Sequence, residues 1–208
     1  MARESAQEKL IRLTQIEREE NDKARRILMI AGIDEVGRGP LAGPVVTACV
    51  SMNLNTLVPG VDDSKKLSEK KREELYDRIM ESADYAKTAW IWQDEIDRIN
   101  ILNATKKAME TCAEDFRGDL IFVDAVDGIL LPCPHRSILH GDALSYMIGA
   151  ASIVAKVERD RYMAKMDEQY PMYGFAQNKG YGTAQHIEAI KKYGPCELHR
   201  RSFITKFI

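Results

Sequence analysis

A solid apolar run, Ile27-Leu28-Met29-Ile30-Ala31, stops at Gly32-Ile33-Asp34-Glu35. A short run without polar alternation, bounded by glycine, reads as a strand buried on both faces, and such a strand needs helices on either side. The remaining pattern supplies both. Val45, Val46, Thr47 and Val50, between Pro44 and Met52, form a second β-rich run. Residues 85–93 alternate like a strand, and 120–123 form another buried strand ending in Asp124. Ser68 can cap a helix over 69–82 with Leu75, Ile79 and Met80 as its buried face. Helical spacing returns over 94–116 through Ile96, Ile99, Leu102, Met109, Cys112 and Phe116. A long helix is expected over 143–170, apolar in its first half and charged in its second. Strands alternating with helices specify an α/β sheet. Residues 5–26 read as a polar surface helix, packed loosely by a thin stripe of Leu10, Leu13 and Ile16. After 170 the chain reads as loop plus one helix over 184–193. The expected division is an N-terminal helical extension (1–26), an α/β core (27–160) and a small, mostly helical C-terminal region (161–208).

Composition removes several classes. Thirty Lys+Arg against 32 Asp+Glu leave a formal charge of −2 in 208 residues, which excludes a polybasic nucleic-acid coat but leaves room for a local basic face. No apolar run approaches the roughly 20 residues needed to span a bilayer, and the charged N-terminus has no apolar segment of a signal peptide. No membrane association is expected. Cys49, Cys112, Cys133 and Cys196 lie far apart with no C-x-x-C pair, the usage of reduced thiols in a cytoplasm. Zinc held by Cys196, His199 and His186 lacks a fourth ligand.

The chemistry collects at strand ends. Asp34 and Glu35 follow the first strand, Asp124 follows a later one, and Asp142 precedes the long helix. In open α/β sheets ligands bind outside the strand ends, so carboxylates placed there converge in space. Clustered carboxylates repel unless a cation neutralises them, and oxygen-only donors select hard ions such as Mg²⁺ or Mn²⁺. Two such ions a few Å apart suit in-line displacement at a phosphodiester. A lone strand-end Asp is more often a solvated cap. An adjacent Asp-Glu pair followed by Gly37-Arg38-Gly39-Pro40 is a stronger signal, because glycine permits close backbone approach and arginine brings fixed charge. The turn is not a nucleoside-triphosphate loop, since G-x-x-x-x-G-K-[ST] is absent.

The stretch from Gly32 to Val45, Gly-Ile-Asp-Glu-Val-Gly-Arg-Gly-Pro-Leu-Ala-Gly-Pro-Val, closely resembles the opening signature of the ribonuclease HII family. So do Asp63-Ser64-Lys65-Lys66-Leu67-Ser68, Gly141-Asp142-Ala143-Leu144-Ser145 with the block 150–157, Asn178-Lys179-Gly180-Tyr181-Gly182-Thr183, and Leu198-His199-Arg200-Arg201-Ser202-Phe203. The blocks run in family order from residue 32 to 203. Val36, where alanine is commoner, and Gly149 are mild departures.

This resemblance implies a ribonuclease H-like mixed sheet flanked by helices, with a small, mostly helical C-terminal region completing the substrate groove. It implies an endonuclease that hydrolyses the RNA strand of RNA–DNA hybrids and cuts 5′ of ribonucleotides embedded in duplex DNA, leaving a 3′-hydroxyl. Residue by residue, Asp34, Glu35, Asp124 and Asp142 correspond to the metal-binding acids for two Mg²⁺ or Mn²⁺ ions. Gly37, Arg38 and Gly39 correspond to the segment that reads the 2′-hydroxyl, Tyr181 to the ring packed on the neighbouring sugar, and Ser64 and Lys65 to phosphate contacts. The expected protein is a cytoplasmic monomer. The third acid is ambiguous, because Val123-Asp124-Ala125-Val126-Asp127 offers two aspartates; Asp124 is preferred for its place directly after the apolar run and its spacing to Asp142. Adjacent Asp34 and Glu35 raise a difficulty, since neighbours on a regular strand face opposite ways.

Weaker signals have plain readings. Lys70-Lys71-Arg72, Lys106-Lys107 and Lys191-Lys192 are expected on solvated helix faces, Trp90 and Trp92 in edge packing, and His186 and His199 in structural hydrogen bonds. The rivals are a type III ribonuclease H, a catalytically silent binding module on the same sheet, and a metal-dependent phosphatase acting on small molecules. Only the last would leave the Gly-Arg-Gly turn and Tyr181 without a task.

Overall fold

A computed structural model of the chain describes residues 5–208; residues 1–4 of the expected extension lie outside the described residues. The extension is two helices, α1 (Ala6–Leu13) and α2 (Gln15–Ala24), with a break at Thr14. It packs more tightly than expected: Leu13, Thr14 and Glu17 are buried, and the Glu17 carboxylate accepts the Ser145 hydroxyl at 2.6 Å.

Strand β1 (Ile30–Val36) begins three residues later than the apolar run and carries Asp34 and Glu35 inside it. The cause is pairing. Ile30 is the first residue opposite a partner strand, while Leu28 and Met29 donate their N–H groups to the Asn21 and Asp119 side chains, and Ile27 is 75% exposed. β2 (Val45–Ser51) follows, then a short turn of 3₁₀ helix at Ser64–Lys66 and α3 (Glu69–Ser82), capped by Ser68. Leu75 and Ile79 face the core, but Met80 does not, being 40% exposed. β3 (Tyr85–Ile91) leads to α4 (Gln93–Ile99) and α5 (Ile101–Ala113). The single helix expected over 94–116 is broken at Asn100, whose φ of 66° leaves the helical region and whose side chain caps Asn103 N–H at 3.1 Å. The break leaves Leu102 exposed, and Phe116 is buried beyond the helix end.

After β4 (Leu120–Asp124) comes β5 (His135–Ile138), a strand with no sequence signal because its residues are polar or half-exposed. The long helix is also divided. Asp142 sits in a one-turn helix, α6 (Gly141–Leu144), and Ser145 then caps α7 (Tyr146–Gln169). α7 runs unbroken through residue 160, where the sequence places a regional boundary. The C-terminal region adds α8 (Phe175–Asn178), α9 (Ala184–Tyr193) and α10 (Arg201–Ile204), more helix than expected.

The strands form one mixed sheet in the order β3-β2-β1-β4-β5, antiparallel across β3-β2-β1 and parallel across β1-β4-β5. α7 and α3 cover one face, over Val46, Ala48 and Val50; α5 covers the other, over Ile33, Val45 and Cys49. Gly32 is where α7 comes closest, since a Cβ there would lie 2.2 Å from Ile148 N. That approach explains the small residues Gly149, Ala150 and Ala151 on the helix. A third core of Leu41, Met163, Tyr173, Phe175, Ile190, Leu198 and Ile204 joins the C-terminal helices to α7 and the loop after β1.

Candidate active site

The β1–β4 ladder ends at Ile33 opposite Val123, so Asp34 and Glu35 continue past it. Asp124 closes β4, and its Oδ1 accepts Gly141 N–H at 2.8 Å, which fixes α6 and hence Asp142 beside the strand end. Four acids from β1, β4 and α6 therefore meet at one end of the sheet. Asp127 does not join them and is exposed. Asp34 and Glu35 share a cavity of about 190 Å³ with Val36, Ser64, Lys65, Ser152, Lys156 and Tyr181.

The electrostatics are those of crowded carboxylates. Burial, then the Glu35 charge, pushes the Asp34 carboxyl well above its ordinary value, although its Oδ1 accepts Glu35 N–H at 2.7 Å. Burial also raises Glu35, with Arg38 opposing at 3.4 Å and Asp124 adding to the rise. Asp124 is raised by burial, against the Gly141 hydrogen bond. The Lys65 ammonium lies 3.7 Å from Asp142 Oδ2. Partial burial pulls its pKa down, but the charges of Asp142, Asp34, Asp63 and Asp124 outweigh this and hold it high.

These residues fit hard cations by their donors: all are carboxylate oxygens, and Glu35 Oε2 is buried with no hydrogen-bond partner. Among the described residues no three acids form a closed metal shell. Asp34 Oδ1 and Asp124 Oδ1 instead accept backbone N–H groups, and Glu35 Oε1 and Asp142 Oδ2 face Arg38 and Lys65.

The glycine turn and Tyr181 lie opposite one another. Tyr181 is 43% exposed, and a Cβ on Gly39 would lie 3.7 Å from its Cε1. Gly37 has φ of +93°, and a Cβ there would lie 2.7 Å from Pro44 O, so the turn needs glycine. Ser64 is buried, its Oγ 2.9 Å from Ser152 Oγ, while Lys65 is exposed. Sequence reasoning passed over Ser152 and Lys156, although both stand in the block 150–157. Their spacing of four places them on one face of α7, which was the available signal.

Several of the plain readings hold. His186 and His199 are buried with their Nε2 atoms 3.0 Å apart. Trp90 and Trp92 stack on each other and meet Tyr162 edge-on. Lys107 is exposed and pairs with Glu95. Arg72 departs from the solvated face expected of it: its side chain is largely buried and donates to the carbonyls of Ser64 and Leu67.

A family model for ribonuclease HII matches residues 31–206. The chain belongs to the ribonuclease HII family. It is 52% identical over 182 residues to ribonuclease HII of Acetivibrio thermocellus, covering 86% of this chain and 71% of that protein. Against the Enterococcus faecalis ribonuclease HII it is 47% identical over 205 residues, covering 98% and 79%. The crystal structure of ribonuclease H2 from Pyrococcus horikoshii superposes with a TM-score of 0.72 at 25% identity, covering 86% of this chain and 96% of that one. The family and the mixed sheet agree: the chain is a ribonuclease H-type nuclease with a ribonuclease H-like fold. No helix among the described residues is long and apolar enough to cross a membrane.

Proposed function

We propose that the protein is an endonuclease that hydrolyses the RNA strand of RNA–DNA hybrids and cuts 5′ of ribonucleotides embedded in duplex DNA, leaving a 3′-hydroxyl. The observation that carries this is the meeting of Asp34, Glu35, Asp124 and Asp142 at the sheet end, beside a glycine turn facing an exposed tyrosine. Asp34, Glu35, Asp124 and Asp142 would hold two Mg²⁺ or Mn²⁺ ions, the unpaired Glu35 Oε2 among the ligands. When bound, such ions supply water activation and charge stabilisation at the leaving oxygen.

The rest is the work of the chain's own groups. Only the 2′-hydroxyl distinguishes RNA from DNA locally, so its reader must approach closely with donors and acceptors. The Gly37-Arg38-Gly39 backbone does so without side-chain bulk at either glycine. Tyr181 packs its ring on the sugar 3′ to the ribonucleotide, where a deoxyribose fits and a further hydroxyl crowds. Lys65 binds backbone phosphate near the cut, with Ser64 holding the loop through Ser152. Lys156, anchored on Asp160 at 2.7 Å, adds positive charge to the same cavity.

The four unpaired thiols suit a reducing compartment, and we place the protein's work in the cytoplasm, as a monomer removing misincorporated ribonucleotides and RNA primers. The test is incubation with duplex DNA holding one ribonucleotide, with and without Mg²⁺. Cation-dependent incision on the 5′ side of the ribonucleotide supports the reading. An intact duplex, or cutting without preference for the ribonucleotide, refutes it.

A further inference from the structure

The closing block Leu198-His199-Arg200 is far from the acids in sequence and has no catalytic task above. It pairs with the loop after β1. Gly43 N donates to Leu198 O at 2.8 Å and Arg200 N to Leu41 O at 2.9 Å, an antiparallel bridge between Ala42 and His199. From this bridge two buried side chains reach the two walls of the proposed sugar site.

Arg200 holds the first wall. It is fully buried, and each guanidinium nitrogen donates to a carbonyl of the same loop: Nη2 to Gly37 at 2.6 Å, Nη1 to Arg38 at 2.9 Å and Nε to Gly43 at 2.9 Å. Arg159, equally buried, takes the carbonyls of Pro44, Ala42 and Lys179. No described carboxylate forms an ion pair with either one. A guanidinium buried without a carboxylate is costly, and three charge-assisted bonds to backbone at each of the two are the compensation. With those carbonyls turned to the guanidinium groups, the Arg38 and Gly39 amides have no acceptor among the described residues and stay available to a ligand.

His199 reaches the second wall. Its Nδ1 lies 3.0 Å from Cys196 N, its Nε2 3.0 Å from His186 Nε2, and His186 Nδ1 2.9 Å from Tyr181 O. The backbone ends assign the protons. Cys196 N–H donates, so His199 Nδ1 accepts; the Tyr181 carbonyl accepts, so His186 Nδ1–H donates. That leaves His199 Nε2–H donating to a neutral His186. Both rings are neutral in this relay, in keeping with burial, which pushes His199 down to about 4.

We propose that Leu198-His199-Arg200 is a positioning element that sets both walls of the sugar site together, Arg200 through the Gly37-Arg38-Gly39 backbone and His199 through His186 and the Tyr181 backbone. This rests on the assignment of those walls to sugar reading. Because one bridge carries both side chains, the gap between Gly39 and the Tyr181 ring is defined by adjacent residues.

The experiment compares kcat/KM on duplex DNA with one embedded ribonucleotide and on a continuous RNA–DNA hybrid, with thermal melting of each variant. Arg200→Lys keeps the charge but replaces a three-nitrogen fork with one ammonium. His199→Leu removes the relay, and His199→Gln returns a donor near the Nε2 position. Tyr181→Ala is the comparator for the wall itself. Arg200→Lys and His199→Leu are expected to lower the embedded-to-hybrid ratio by about tenfold, in the direction of Tyr181→Ala, with His199→Gln restoring most of it. If the folded variants keep the ratio while Tyr181→Ala lowers it, the positioning proposal is overturned and the reader assignment stands. If Tyr181→Ala also leaves the ratio unchanged, the reader assignment falls and the proposal with it. Should Arg200→Lys fail to fold, the two His199 variants decide alone.

Discussion

Glu17 is a carboxyl in the wrong medium. It is fully buried at the N-terminus of α7, with Oε1 accepting Ser145 Oγ and Met147 N–H and Oε2 unpartnered. Burial pushes its pKa from an ordinary 4.5 up to about 7, and the hydrogen bonds from Ser145 and the α7 backbone recover only part of the cost. A raised carboxyl pKa favours the protonated folded state, so the stability it contributes is complete below pH 4.5 and is lost as pH rises through about 7. At about 1.4 kcal/mol per pH unit, that interval amounts to about 3 kcal/mol between acid and alkaline conditions. Glu17→Gln keeps an acceptor for Ser145 and cannot ionise. Urea unfolding from pH 5 to 9 should show the parent protein losing stability across neutral pH while Glu17→Gln stays flatter and is more stable by about 1–3 kcal/mol at pH 8. Equal slopes in the two proteins would refute a neutral, buried Glu17.

Three more outcomes follow from the site. Asp124→Asn should lower cleavage by orders of magnitude, whereas Asp127→Asn, changed at an exposed position, should cost little; steady-state rates of the two variants check this, and the reverse ranking contradicts the assignment. Tyr181→Ala should lower kcat/KM on an embedded ribonucleotide by about tenfold to a thousandfold, roughly 1.4 to 4 kcal/mol, with Tyr181→Phe losing less; equal loss on both substrates with a lowered Tm would make the ring a structural prop. If Arg38, Lys65 and Lys156 each neutralise one phosphate, duplex affinity should fall about 40-fold between about 50 and 200 mM salt, and a flat response in a binding titration argues for a small substrate.

The sheet was readable where strands are apolar and helices are capped. β1, β2, β4 and the Ser68 cap follow from local pattern. β5 was not readable, because His135-Arg136-Ser137-Ile138 forms a strand only by pairing with β4 at the sheet edge. The breaks at Asn100 and Ser145 escaped because helical spacing continues across them, and only the backbone angles mark the interruption. At the site, the acids could be named from strand ends and family blocks, and β1 continuing past the β4 ladder shows how neighbouring Asp34 and Glu35 come to line one cavity. The burial of Arg159 and Arg200 was beyond sequence reasoning, since an arginine without a carboxylate normally reads as surface. Their partners are carbonyls that only the folded loop brings together.

The central claim is that four carboxylates at one sheet end carry the cleavage, and Asp34→Asn tests it most directly. Asp34 feels the charges of both Glu35 and Asp124, and the amide conserves shape while removing one charge. The measurement is the single-turnover rate of incision, in Mg²⁺, of duplex DNA holding one ribonucleotide, on protein whose circular dichroism and melting match the parent. The account predicts incision reduced to background. Near-normal turnover by a folded Asp34→Asn protein would contradict it.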